Sequence, residues 1–65
     1  MTKAQIENDC RIIVESTRII AHTSDPGVPE SRWKLIGERY AHLRTQKRFA
    51  HRSQRALIKD AERAY

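Results

Sequence analysis

Apolar residues recur along the first third of the chain with the pitch of a helix. Ile6, Cys10, Ile13, Thr17 and Ile20 are spaced 4, 3, 4 and 3 residues apart, which places them on one coiled-coil-like seam. Val14 and Ala21 widen that seam on one side. Ile12 and Ile19, seven residues apart, form a second, narrower line about 130° from the seam, with Asp9 and Ser16 between. Thr2 and Gln5 fit a capping box. The pattern predicts a first helix over about residues 2–22.

Periodicity stops at TSDPGVP. Asp25, Pro26, Gly27 and Val28 suit a type II turn, Pro presetting φ at the second position and Gly taking a positive φ at the third. Pro29 then suits the first position of the next helix, with Glu30 complementing its dipole. Residues 23–28 are thus expected to be a loop joining two antiparallel helices.

The second pattern is longer. Trp33, Ile36, Tyr40, Leu43, Lys47, Ala50, Gln54, Leu57, Ala61 and Ala64 alternate in steps of 3 and 4. They would share one stripe on an unbroken helix over about residues 29–64, roughly 54 Å long against about 30 Å for the first. Trp33 and Tyr40 are expected in the core, with Gly37 leaving room for the indole or for a close helix approach. Lys47 and Gln54 interrupt the stripe, so the alternative is a bend or break near residues 49–53 and a third short helix capped by Ser53. Ala56 denies that cap its reciprocal partner. Residues 39–59 contain no Gly or Pro, so the unbroken helix is preferred.

The expected fold class is all-α: a helical hairpin assembling as a dimeric helical bundle. Leu35, His42, Phe49 and Ala56 are seven apart and form a second line on the long helix, matching Ile12 and Ile19 on the first. A lone hairpin leaves both lines exposed, whereas two hairpins bury them as four helices. Ile12, Ile19, Leu35 and Phe49 are therefore the expected dimer interface.

Size supports the same expectation. The 65 residues make one domain at most, residues 1–65, near the lower limit for burying a self-sufficient core. Cys10 is the single cysteine, so no disulfide framework helps. It reads as a small buried hydrophobe on the seam.

Charge then separates the halves. The first thirty residues hold three Lys/Arg against five Asp/Glu, and the rest ten against three. Residues 39–59 carry seven Lys/Arg and no acid. On a helix, Arg44, Arg48, His51 and Arg55 would form a continuous stripe able to follow a phosphate backbone. Arg44, Lys47, Arg48, Arg52, Arg55 and Lys59 are the candidate nucleic-acid-binding residues. The bland reading is a solvated face, but such faces ordinarily mix signs. The competing functional reading is a protein–protein adaptor or inhibitor, a phage- or plasmid-type regulator docking on an acidic partner surface.

Other chemistry has little to stand on. Zinc-finger, RNP and GXXG patterns are missing. The helix after the turn is mixed in charge, a poor reader for a helix-turn-helix. His22, His42, His51 and Cys10 lack zinc spacing, so no metal site is expected. There is no Gly-rich phosphate loop or G-x-S-x-G, and so short a chain has little room for a water-excluding pocket. We therefore expect no enzyme, no catalytic residue, no cofactor and no small-molecule substrate. No h-region or membrane-length apolar run is visible. The expectation is a homodimeric regulatory protein of the cytoplasm, bacterial or of a phage-infected host, with DNA or RNA as partner and no membrane.

Overall fold

A computed structural model describes residues 2–65, and those residues are all-helical, with three α-helices and no strand. Helix α1 spans Lys3–His22, α2 spans Gly27–Leu43 and α3 spans Gln54–Ala64, with a 3₁₀ turn at Lys47–Phe49 between the last two.

Helix α1 begins as its sequence dictates. The Thr2 hydroxyl accepts from the Gln5 N–H at 3.2 Å, and the Gln5 side chain accepts from the Thr2 N–H at 2.8 Å. Two amides with no intrahelical acceptor are thereby satisfied reciprocally. The helix stops at Thr23, which is extended (φ −83°, ψ 145°).

The link to α2 differs from the expected type II turn. Pro26 is in the α region (φ −66°, ψ −18°), and Gly27 has no positive φ. Asp25 supplies the capping acceptor instead, its Oδ1 taking the Gly27 N–H at 2.9 Å. Helix α2 therefore starts at Gly27. Pro29 falls within its first turn, where a missing N–H is tolerated.

The long second helix is not formed. Helix α2 ends at Leu43, where the Thr45 and Gln46 amides donate only three residues back, to the His42 and Leu43 carbonyls at 3.2 and 3.0 Å. Gln46 then turns extended (φ −86°, ψ 136°). An unbroken helix would carry Leu57 and Ala61 past the end of α1, with nothing to cover them. The reversal instead buries Phe49 (7% exposed) and Leu57 (1%) with Ala61 against Cys10, Ile13 and Val14. Each large apolar side chain buried contributes about 1.5–3 kcal/mol, against roughly 0.5–1.5 kcal/mol for each backbone hydrogen bond given up. Burial of Phe49 and Leu57 outweighs two or three such bonds, so the chain folds back without Gly or Pro. The molecule measures 36 Å along its longest axis, too short for a helix of about 54 Å.

Tyr40 of α2 and Arg44, just beyond its end, latch the reversal. The Tyr40 hydroxyl donates to the Arg52 carbonyl at 2.7 Å, and Arg44 Nη2 donates to the Ala50 carbonyl at 3.1 Å. Ser53 then caps α3, its hydroxyl accepting from the Ala56 N–H at 3.1 Å.

The core joins Cys10, Ile13 and Val14 of α1, Ile36 and Leu43 of α2, Phe49 of the turn, and Leu57 and Ala61 of α3. Phe49 is therefore taken up inside the chain rather than offered to a second copy. Ile12, Ile19 and Leu35 are half-buried. Trp33, expected in the core, is 47% exposed, because α3 folds back beside it without covering it. A Cβ on Gly37 would meet nothing within 4 Å, so that glycine accommodates neither the indole nor a close helix approach.

Candidate functional site

The reversal breaks up the basic stripe. Of the six candidate cations, Arg44 and Arg52 are engaged within the chain. Arg44 lies over the Tyr40 ring, 5.5 Å from its centroid, while donating to the Ala50 carbonyl. Arg52 pairs with the Asp60 carboxylate. Both hold the loop and α3 in place.

Lys47, Arg48, Arg55 and Lys59 are exposed, and no ion pair among the described residues involves them. They do not form one row. Arg48 covers the Phe49 ring, with its guanidinium carbon 4.5 Å from the centroid, a cation–π contact. Arg55 and Lys59, one helical turn apart on α3, face the other way, toward α2.

There they border a groove of about 460 Å³ lined by Thr17, Trp33, Gln54, Arg55, Ile58, Lys59 and Glu62. Trp33 and Ile58 supply its apolar surface, Gln54 and Thr17 supply polar groups, and Glu62 is its acid. The groove exists because α3 returns alongside α2 with Leu57 and Ala61 turned into the core. Positions 55, 58, 59 and 62 of α3 then fall on the flank beside Trp33. Sequence periodicity missed Trp33 because the 3–4 alternation assigns it to the same stripe as Ile36. The pattern carries no information on which helix, if any, lies over that end of the stripe.

A second polar feature lies between α1 and α2. Asp9 is 3% exposed, and its Oδ1 accepts from Arg39 Nη1 at 3.2 Å. The His42 Nδ1 stands 3.7 Å from Asp9 Oδ2, and that oxygen, like Arg39 Nε and the Ser16 hydroxyl, has no hydrogen-bond partner among the described residues. The cluster borders a shallow recess of about 320 Å³ with Gln5, Asn8 and Thr45. Asp9 and Ser16, seven apart, both face inward, so α1 meets the core on a face rotated toward the Ile12–Ile19 line. A buried acid opposite an arginine thirty residues away has no local signature.

Cys10 is buried, and burial, with the Asp9 carboxylate next, pushes its thiol up from the ordinary value of 9.0. A thiol held protonated is a poor nucleophile. Among the described residues, no three of His, Cys, Asp and Glu converge as a metal site, and no helix is long and apolar enough to cross a membrane. Comparison with protein-family models, with curated proteins and with solved structures yields no match.

Proposed function

We propose that this chain is a small, non-enzymatic nucleic-acid-binding accessory or regulatory protein of the cytoplasm. In this reading it contacts the phosphate backbone through Lys47, Arg48, Arg55 and Lys59. The observation that supports it is the set of four exposed cations with no ion-pair partner among the described residues, within 21 residues that contain no acid. A surface whose only purpose is solubility interleaves signs. Here the acid that could neutralise Arg52 comes from outside the stretch, at Asp60, and four cations are left over. Arg44 and Arg52 belong to the scaffold, so their loss is expected to lower stability more than affinity.

The test is a titration of short duplex DNA, single-stranded DNA and RNA across salt. Four phosphate contacts give a slope of log K against log salt of roughly −3 to −4. The combined variant Lys47→Glu/Arg48→Glu/Arg55→Glu/Lys59→Glu is expected to abolish binding. No binding of any nucleic acid at low salt, or an unaffected variant, removes the proposal. Binding of an acidic polypeptide through the same residues, without nucleic-acid binding, would establish the adaptor or inhibitor reading in its place.

Self-association is part of the same proposal and has narrower support. Phe49 is enclosed and the chain folds back on itself, so a homodimer depends on the half-buried Ile12, Ile19 and Leu35. Light scattering on a sizing column decides it: a monomer at tens of micromolar removes the dimer and leaves the nucleic-acid reading standing.

A further inference from the structure

The Trp33 groove has features that a plain phosphate-binding surface does not need. Its indole is 47% exposed, on a chain whose other large apolar side chains are mostly covered. The α3 residues that line the groove with it include Gln54, Arg55, Ile58 and Lys59. The groove is open along its length, with a volume of about 460 Å³.

We infer that this groove binds single-stranded nucleic acid, with one base stacked on the exposed face of Trp33 and the adjoining phosphates on Arg55 and Lys59. The inference rests on the nucleic-acid reading above and adds the strand form and the residue that selects it.

An aromatic ring beside cations is the combination by which single strands are held, because every base offers a π-face and every linkage a charge. Arg55 and Lys59, at i and i+4, have Cβ atoms about 5–6 Å apart, so one strand can run past both. In a duplex the bases are stacked on one another and present only edges in the grooves, so their faces cannot reach an indole fixed on α2. Gln54 can hydrogen-bond a base edge, while Glu62, one turn beyond Lys59 on the same flank of α3, repels phosphate and ends the basic run there. An acidic protein fits less well. A docked helix needs several apolar pockets at i, i+3, i+4 and i+7, and the groove offers one indole and one isoleucine.

Trp33 is the single tryptophan, so its fluorescence reports the site directly. Ten-nucleotide oligo(dT), oligo(U) and a ten-base-pair duplex, each end-labelled, would be titrated into wild type, Trp33→Ala, Trp33→Phe, Arg55→Glu/Lys59→Glu and Glu62→Gln. The two single strands are expected to quench Trp33 emission and to bind at least tenfold more tightly than the duplex. Trp33→Ala is expected to weaken single-strand binding by roughly 5- to 100-fold, read by anisotropy of the label. Trp33→Phe should recover part of that loss, and Glu62→Gln should tighten binding. Circular dichroism melts confirm that the variants fold, as the exposure of Trp33 predicts. Duplex bound as tightly as single strand, or unchanged affinity in Trp33→Ala alongside lost binding in Arg55→Glu/Lys59→Glu, overturns the stacking inference and leaves nucleic-acid binding intact. Failure of every nucleic acid to bind overturns both, and capture of an acidic polypeptide by Arg55 and Lys59 alone identifies the groove as a protein site.

Discussion

Asp9 and Arg39 show how unevenly a single ion pair can be shared between interior and surface. The carboxylate is almost closed off, whereas the arginine side chain is 30% exposed. A buried charge that loses its partner is costly, while replacing the whole pair by apolar groups often is not. Arg39→Ala should therefore destabilise the fold by about 3 kcal/mol, the lower end of the range for a broken buried pair, since Arg39 is partly solvated and His42 stands near. Asp9→Leu/Arg39→Met should be markedly more stable than Arg39→Ala. Urea unfolding followed by circular dichroism checks both, and equal stability of the two variants would show that Asp9 is not effectively desolvated. At this scale the sequence was legible where a residue acts on its close neighbours. Thr2 and Gln5 cap α1 as their spacing requires, and Ser53 caps α3. Trp33 was expected in the core and is exposed, and the burial of Asp9 and Ser16 was not legible, because each depends on an element remote in sequence.

Among the elements, α1 follows its pattern closely, since a seam of Cys10 and Ile13 flanked by Val14 needs only a partner of any kind to bury it. Helix α2 and α3 were read as one because an apolar repeat stays in phase across the residues that join them. Leu43 and Leu57 are fourteen apart, two heptads on a continuous helix, and both are buried, yet they lie on separate helices. The phase coincidence hid the break. The usable signals were Lys47 and Gln54 on the stripe and the Ser53 cap. Only the uncovered length beyond α1 gives those signals their weight. Ser53 is accordingly the residue on which α3 depends most locally. Ser53→Ala should cost about 1 kcal/mol, with hydrogen exchange faster at the first amides of α3 than in α1. Equal protection in both helices would contradict a separately capped α3.

Over the whole molecule, one small core ties three helices together, and Cys10 lies within it. Its thiol is raised above 9.0 chiefly by burial. A group whose folded value is raised contributes stability that is complete below the unfolded value and lost as pH climbs through the folded one. The wild type should thus lose stability above about pH 9 more steeply than Cys10→Ala, although that variant starts lower because of the cavity it leaves. At neutral pH a thiol reagent should label Cys10 only as fast as the core opens, in step with unfolding measured by urea. Rapid labelling of the folded protein would mean that α3 leaves α1 independently. The same packing spreads the cations: α3 is held by its inner face, so Arg55 and Lys59 stand on one flank and Arg48 on another.

By itself the sequence determined an all-helical chain, the start and end of α1, most of the core positions, and an acid-free basic stretch in its second half. These follow from local capping chemistry and from 3.6-residue periodicity, which need no knowledge of what lies opposite. Only the tertiary structure decided that residues 44–53 reverse, that Phe49 is core and Trp33 surface, and that Arg44 and Arg52 serve the scaffold. Those outcomes turn on burial against α1, whose length sets how much of the remaining chain can be covered. That length also turned the expected row of cations into a groove beside an indole.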